Sequence, residues 1–455
     1  MTVAPIVRAA PNQTELLSVD ADYLWHPWSP SRVSPDTLVA VAGEGCEVRD
    51  ADGRTYLDAK SSGLNATLGY GCRAVTDAIS AQLAQLMTYD MGEGANVPAI
   101  RLAQRIAGLT GPRLTRTFFC NSGSEAIETC VRIARFYHAV REDTGRTLIV
   151  SLDTSYHGAT MAAAACSPAA TPVAPEVAPG GFVTVPGPGR TEGPGHAEGS
   201  GGHPADPGPG PDPAADGADA LREFLAEHGS RTAAVVLEPV QARGAQVASD
   251  AYLRAVRALC DRHGVLLILD EVTTGFGRTG LMFGYQHSGA EPDILATSKG
   301  LAAGYMSLAA VTTTQHIFDV FDRNKERAGF VHGHTHSGHA AACAAGLAVI
   351  DVIEKERVLA NVRAREAQLF TALEAVRPLP HLREVRGRGL LIALETDGSR
   401  RAARIRARMR QDGILVRRTG RNILLAPPLI ITETETARLA GALTAAVEAV
   451  AGDAG

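Results

Sequence analysis

One lysine and one aspartate are spaced for chemistry on a carbonyl compound. The chain of 455 residues has only four lysines, and Lys299 stands in a turn of small residues. A lysine in a tight, weakly hydrated turn favours a lowered pKa and Schiff-base formation with an aldehyde. Asp270, 29 positions earlier, ends an apolar run and could keep a pyridine nitrogen protonated. Because most lysines are simply solvated, this prediction depends on the neighbouring motifs.

The composition argues against nucleic-acid-binding, disulfide-rich, zinc-binding, secreted and membrane-spanning proteins. A formal net charge of −5 gives no electrostatic reason to expect nucleic acid or an anionic membrane as a partner. The seven cysteines are scattered and contain no C-x-x-C motif, so neither a disulfide framework nor a zinc site is indicated. No secretory signal is recognised, and no apolar run approaches the ~20 residues of a membrane span. We expect a cytoplasmic, soluble protein with small-molecule substrates, no nucleic acid and no membrane.

Short apolar runs alternate with helical patterns, such as 125–141 and 250–263, between about residues 98 and 330. The alternation predicts an α/β fold with a mostly parallel sheet covered by helices. A long helix beginning near residue 339, followed by short strands, indicates a smaller α+β domain. We predict an N-terminal segment at 1–75 that packs with this small domain, a large domain at 76–340 and the small domain at 341–455. The strand candidates of the large domain are 115–120, 147–153, 182–185, 233–238, 265–270 and 307–313.

Residues 186–219 differ from the rest in composition, with ten glycines and eight prolines in 34 positions. Such a segment cannot bury enough apolar surface to offset its ordering entropy, so we predict a mobile surface insertion. A functional lid is the alternative, because compact domains rarely carry so long a loop without a reason.

Several polar residues follow predicted strands. Gly123 and Ser124 stand where a turn opens a helix, and this pattern predicts either a phosphate cradle or an ordinary helix cap. An aromatic residue such as Tyr156 can stack on a flat ring or belong to the core. Ligands of open α/β sheets gather at the carboxyl ends of strands, so these residues are expected to share one site. The residues that follow predicted strands are Ser124, Tyr156, Glu238, Asp270 and Lys299.

Two further motifs suggest other ligands. Residues 275–280 match G-x-G-x-x-G, but no strand runs into the first glycine and no long helix follows, so no dinucleotide site is predicted. Four histidines lie between residues 332 and 339, but acidic or cysteine partners and helical i, i+4 spacing are missing. We therefore expect no metal, and a turn that opens the next helix is better suited to an anion.

Together, these motifs resemble the class III, fold-type I aminotransferases that depend on pyridoxal 5′-phosphate (PLP). The most specific segments are 121–126, 156–158, 270–280 and 298–300, and the resemblance extends over nearly the whole chain. It implies transfer of an amino group from an amino donor to a keto or aldehyde acceptor through a Lys299 aldimine. A PLP-dependent decarboxylase, racemase, epimerase or aminomutase of the same fold is the alternative, because all of these begin from the same Schiff base.

The resemblance also implies a role for individual residues. Lys299 would hold PLP and move a proton, while Asp270 would pair with the pyridinium nitrogen. The ring would lie between Val272 and Tyr156. The residues implied to hold the phosphate are Gly123, Ser124 and, from the neighbouring subunit of a homodimer, Thr335.

On the substrate side, Arg417 matches the family's carboxylate-binding arginine, with Glu238 as its partner when no carboxylate is bound. Segments 25–28 and 304–309 resemble the branch that makes 7,8-diaminopelargonate. That branch carries two pocket tryptophans where this chain has Gly63 and Leu64, so the pocket is expected to be wider and the biotin assignment is disfavoured. The arginine-, alanine- and proline-rich composition is typical of a GC-rich bacterial genome and favours a specialised biosynthetic pathway. The sequence does not identify the donor or the acceptor.

Overall fold

A computed structural model describes residues 13–28, 34, 37–168, 178–188, 217–324 and 329–450. Of the predicted insertion at 186–219, residues 189–216 lie outside the described ranges. The strands are β1 (Ala40–Glu44), β2 (Glu47–Asp50), β3 (Thr55–Asp58), β4 (Leu114–Cys120), β5 (Leu148–Leu152), β6 (Phe182–Val185), β7 (Thr232–Leu237), β8 (Leu266–Asp270), β9 (Ile294–Thr297), β10 (Ala309–Thr314), β11 (Leu382–Arg388), β12 (Leu391–Thr396), β13 (Ile414–Leu415), β14 (Arg417–Thr419) and β15 (Asn422–Leu425).

The helices connect and cover these strands. They are Gln13–Tyr23, Arg73–Gln85, Val97–Thr110, Gly123–Val140, Met161–Ala165, Asp219–His228, Asp250–His263, Gln315–Arg323, Ala340–Lys355, Val358–Leu373, Ser399–Gln411 and Glu433–Ala449, together with a kinked turn at Ser61–Leu64. No helix in the described part of the chain has both the length and the apolar character needed to cross a membrane.

The central sheet has seven strands in the order β4-β10-β9-β8-β7-β5-β6. All neighbouring pairs are parallel except those of β10, which runs antiparallel to both β4 and β9. The prediction of a mostly parallel sheet is therefore confirmed. Strand β9 was missed, because a run of four residues is too short to show a periodicity.

Helix ends follow the local sequence. The helix Gly123–Val140 begins after Ser122, whose Oγ accepts a hydrogen bond from the N–H of Glu125 at 3.2 Å. It starts two residues before the predicted 125–141, so its first turn includes Gly123 and Ser124. The helix Asp250–His263 matches its prediction and ends at Gly264, whose φ of 65° lies in the left-handed region that favours glycine.

The two ends of the chain share a sheet. Strand β13 pairs in parallel with β3, placing Ile414 beside Leu57 and extending the sheet to β1-β2-β3-β13. A second, antiparallel sheet of the C-terminal part has the order β11-β12-β15-β14. The domain boundaries at residues 75 and 340 stay predictions.

The G-x-G-x-x-G segment joins the central sheet to the C-terminal part through Arg278. This arginine is fully buried, and its NH1 donates to the carbonyl oxygens of Leu390 at 3.0 Å and Pro427 at 2.6 Å. Its NH2 lies 3.3 Å from the Oγ of Ser61. Burial lowers the pKa of Arg278 to about 9. The buried guanidinium thus fixes three distant segments against each other.

Candidate active site

Five strands point their carboxyl ends at the same edge of the central sheet. Strands β5, β7, β8 and β9 are mutually parallel, and β4 has the same direction because two antiparallel pairings separate it from β9. The predicted convergence at one edge follows from this topology. The residues that lie at or soon after these strand ends are Gly123, Ser124, Tyr156, Glu238, Asp270 and Lys299.

Lys299 lies in the tight turn after β9. Its φ of 28° is an uncommon value for a residue with a side chain, and such strain is concentrated at functional sites. Space at position 300 is tight, because a Cβ there would lie 3.0 Å from the Cβ of Phe276 and 3.1 Å from a backbone oxygen. The Nζ of Lys299 donates to the Oγ1 of Thr273 at 2.6 Å.

The surroundings of Lys299 favour a neutral amine. Burial lowers its pKa to about 8, although the charges of Asp270 and Glu238 act in the opposite direction. The positive charges of Arg417 and Arg278 lower it further. A larger fraction of the amine is therefore unprotonated near neutral pH than for an ordinary lysine, as a nucleophile requires.

The carboxylate of Asp270 is fixed by two donors. The Nδ1 of His157 donates to Oδ2 at 2.8 Å, and the backbone N–H of Val272 donates to Oδ1 at 2.9 Å. Burial alone would lower the pKa of His157, but its bond to Asp270 and the charges of Asp270 and Glu238 raise it above its ordinary value. His157 therefore helps to orient the aspartate. No role was predicted for this histidine, although it lies inside the motif at 156–158.

The start of the helix Gly123–Val140 is open to an anion. The backbone N–H groups of Gly123 and Ser124 have no acceptor within the described ranges, as expected for a first helical turn. The Oγ of Ser124 accepts from the N–H of Ala159 at 3.1 Å. A Cβ on Gly158 would lie only 2.5 Å from that Oγ, and a Cβ on Gly123 would lie 2.8 Å from Val272. Small residues are thus required around this helix start.

The groups present in this site fit PLP. The site offers a part-buried amine at Lys299, a buried carboxylate at Asp270 and N–H groups at Gly123 and Ser124 that have no acceptor within the described ranges. These are the types of group that an aldehyde, a pyridine nitrogen and a phosphate require.

Glu238 is held differently from the prediction. Its Oε1 accepts from the N–H of Ala242 at 2.8 Å and its Oε2 from the N–H of Tyr156 at 3.1 Å. Burial raises its pKa to about 7, which the neighbouring His157 partly offsets. Arg417 is exposed on β14 and forms no ion pair with Glu238 in this structure. The predicted pair is not formed in this structure, where a backbone N–H binds each carboxylate oxygen, and the substrate roles of both residues stay predictions.

The two residues proposed to widen the pocket have different surroundings. Gly63 is exposed, and a Cβ there would meet only a side-chain oxygen of Asn65, at 3.8 Å. Leu64 is buried, and it packs in an apolar cluster with residues that include Ala242 and Leu424. Gly63 therefore borders open space, while Leu64 belongs to the core in this structure.

The histidine-rich turn lies beside the open helix start. The Nε2 of His332 is 3.0 Å from the Oγ1 of Thr129, and its ring stacks on Phe118. Thr335 is exposed in the turn before the helix Ala340–Lys355. Within the described residues, no group of three or more His, Cys, Asp or Glu side chains could hold a metal.

Comparisons with known proteins agree with this geometry. The family model of aminotransferase class III matches residues 29–447. An adenosylmethionine-8-amino-7-oxononanoate aminotransferase of Nitratidesulfovibrio vulgaris is 34% identical over 97% of this chain and 83% of its own length. A taurine–pyruvate aminotransferase of Bilophila wadsworthia is 31% identical, covering 93% of this chain and 95% of its own length.

One similar protein has been solved with a form of the cofactor bound. The omega transaminase of Pseudomonas jessenii in complex with PMP superposes with a TM-score of 0.87 at 26% identity. The match covers 96% of this chain and 98% of the other. The predicted fold-type I architecture and PLP dependence are therefore confirmed, and the alternative PLP chemistries are not favoured. The chain belongs to the class III aminotransferases and is a PLP-dependent enzyme of this family.

Proposed function

We propose that Lys299 and Asp270 are the catalytic residues of this aminotransferase. The observation that supports the proposal is the convergence of an amine with a lowered pKa, an oriented carboxylate and free backbone N–H groups at one sheet edge. Lys299 would attach the cofactor covalently. When bound, PLP supplies an electron-withdrawing ring that stabilises negative charge on the reacting carbon of the substrate.

The other residues of the site position these two. Asp270 would keep a proton on the pyridine nitrogen, and His157 would hold the carboxylate in place. The Nζ of Lys299, oriented by Thr273, would move a proton at the reacting carbon of the substrate. The residues proposed to enclose the ring and bind the phosphate are Val272, Tyr156, Gly123 and Ser124.

The substrates are an amine or amino acid and a keto acid or aldehyde. The two relatives named above act on different compounds, as their names state, and have similar identity to this chain. Overall similarity therefore does not choose between donors. We propose that Arg417 binds a substrate carboxylate, since an arginine can form two parallel hydrogen bonds with it, and that Gly63 leaves room for a bulky second substrate. The specialised pathway and the cytoplasmic location stay predictions.

We further propose a homodimer in which Thr335 contacts the phosphate of the neighbouring site. The turn that carries Thr335 lies beside residues 87–100, because the side chain of Asn96 donates to the carbonyl of Gly338 at 2.8 Å. Residues 83–100 expose large apolar side chains, which favours an interface with a second copy. They are Leu83, Leu86, Met87, Tyr89, Val97 and Ile100. Sedimentation should give a dimer, and a fully active monomer with complete cofactor occupancy would contradict this proposal.

A half-reaction experiment tests the proposed function. Cofactor-loaded enzyme is mixed with one amine at a time, without an acceptor, and the cofactor is identified afterwards by chromatography. An aminotransferase should convert the cofactor to its pyridoxamine form in amounts equal to the amine consumed. Release of carbon dioxide or racemised substrate with the cofactor unchanged would instead support one of the other PLP chemistries.

A further inference from the structure

Two arginines beside the proposed site have no acidic partner among the residues that the structure describes. Arg243 lies in the loop that follows β7, and Arg417 is the first residue of β14. Neither side chain forms an ion pair or a hydrogen bond in the part of the chain that the structure describes. Arg386, nearby, shows the usual arrangement, since its NH1 lies 2.6 Å from the carboxylates of both Glu384 and Glu395. Because Arg243 is part-buried, its lack of a partner among the described residues needs an explanation, and the exposed Arg417 offers a second free guanidinium.

Packing holds the two arginines on neighbouring backbone segments. In the register of β14 and β15, the Cα partner of Arg417 is Leu424. Leu424 is buried in the same apolar cluster as Ala242 and Ala245, which lie on either side of Arg243 in the loop. The loop is thus fixed by its own alanines against the strand that pairs with Arg417.

A polar contact fixes the same loop from its other side. The Nε of Arg386 donates to the carbonyl oxygen of Gly244 at 2.9 Å, and its NH2 donates to the Oδ1 of Asn422 at 2.8 Å. One guanidinium therefore links the loop to β15. This double attachment makes the position of Arg243 relative to Arg417 a fixed feature of the fold.

The charges around Arg243 place it next to the substrate side of the site. Burial lowers the pKa of Arg243, and the positive charge of Arg417 lowers it further, while Glu238 and Tyr156 raise it. The carboxylate of Glu238 accepts backbone hydrogen bonds on both oxygens and forms no ion pair with either arginine in the part of the chain that the structure describes. Two like charges close together are unfavourable unless an anion lies between them.

We propose that Arg243 and Arg417 together bind a substrate with two carboxylate groups, one on each guanidinium. Each guanidinium can bind one carboxylate through two parallel hydrogen bonds, so a dicarboxylic amino or oxo acid satisfies both arginines. A monocarboxylate would leave one of them unpaired. This inference rests on the aminotransferase function, and it assigns the substrate class of the acid half-reaction. Arg243 is then a residue that determines specificity.

Binding of non-reacting acids to the cofactor-loaded enzyme tests the proposal. Glutarate is butyrate with a second carboxylate on its terminal carbon, so both acids have a three-carbon chain bearing a carboxylate and differ only by the second one. Calorimetry should show glutarate binding at least about tenfold more tightly, or about 1.4 kcal/mol. Arg243→Gln should remove most of that preference while changing butyrate binding less than about threefold. Arg243→Lys, which keeps the charge, should restore part of it.

Arg418→Gln is the matched control. Arg418 is on the same strand, and its NH1 donates to the carbonyl oxygen of Gly420 at 3.1 Å, outside the proposed site. Removing this charge should leave both affinities unchanged. If Arg418→Gln weakened glutarate binding as much as Arg243→Gln does, the preference for glutarate would come from the overall positive charge of this surface and not from a specific site.

Two outcomes would overturn the proposal. One is equal affinity of the wild-type enzyme for glutarate and butyrate. The other is equally tight binding of methylphosphonate, which carries both charges on one group. Because these acids contain no amino or oxo group, the binding results stand even if the half-reaction experiment fails. In the reactive series, Arg243→Gln should slow the reaction with 2-oxoglutarate at least about tenfold more than the reaction with pyruvate.

Discussion

The residues proposed to hold the cofactor and those proposed to bind the substrate are held in opposite ways. Asp270 accepts from His157 and from a backbone N–H, and Lys299 donates to Thr273. Arg243 and Arg417, in contrast, have no partner among the described residues. A cofactor that stays in place favours groups that are already oriented, whereas substrates that arrive and leave need groups whose hydrogen bonds are free.

We expect the largest loss of turnover from a change at Asp270, whose carboxylate is oriented by hydrogen bonds. Asp270→Asn should retain PLP, because Lys299 and the helix start remain, but the neutral side chain can no longer hold a proton on the pyridine nitrogen. We expect a loss of about 3–5 kcal/mol, roughly 10²- to 10⁴-fold in turnover. Cofactor content and steady-state rates of the same preparation measure both quantities. Near-normal turnover would show that Asp270 does not have the proposed role.

On the substrate side, Arg417→Ala should affect only substrates with a carboxylate. The half-reaction with an amino or keto acid should slow by about 2–4 kcal/mol, since one partner of a charged pair is removed. A substrate without a carboxylate should be affected much less. Stopped-flow measurement of both half-reactions on one preparation provides the comparison. Equal losses in the two would indicate a structural role for Arg417.

The lowered pKa of Lys299 predicts a pH dependence for the cofactor-free enzyme. The amine is nucleophilic only when neutral, so its rate of modification should reach half of its maximum near pH 8 rather than near 10.5, the ordinary value for lysine. Below pH 8 the rate should fall about tenfold per pH unit, as expected for a single ionisation. Mass spectrometry of the Lys299 peptide after short exposure to an amine-specific reagent measures this. A midpoint near 10.5 would mean that the amine is not desolvated.

The smallest predicted effect concerns the hydrogen bond between Lys299 and Thr273. Thr273→Val keeps the shape and removes the acceptor, so we expect a loss of about 1 kcal/mol, roughly fivefold in turnover. Thr274→Val is the control, because the Oγ1 of Thr274 donates to the buried Glu271 at 2.6 Å. That variant should lower thermal stability without changing the modification rate of Lys299. If both variants changed that rate equally, Thr273 would have no specific role.

The sequence predicted the elements that position the site better than the contacts within it. Strand ends are visible as breaks in apolar runs, so the convergence of Ser124, Tyr156, Glu238, Asp270 and Lys299 at one edge could be predicted. The bond between His157 and Asp270 could not, because it joins residues 113 positions apart. Its only signal was the position of the histidine inside a recognised motif.

The substrate side was predicted least well, for the same physical reason. Arg243 was not identified, because only the packing of its loop against β15 brings it near Arg417. The pair expected between Arg417 and Glu238 is not formed in this structure, and a sequence does not show which backbone N–H groups a carboxylate binds. Contacts across long sequence separations therefore set the limit of the prediction.

Borohydride reduction of the cofactor-loaded enzyme tests directly whether Lys299 carries the cofactor. Reduction fixes the cofactor permanently on the nitrogen to which it is attached, and peptide mapping then identifies the residue. We expect one labelled peptide, containing Lys299, and no label in the Lys299→Ala variant. The other lysines of the chain are Lys60, Lys325 and Lys355. Stoichiometric label on any of these three, with Lys299 unmodified, would show that Lys299 does not carry the cofactor.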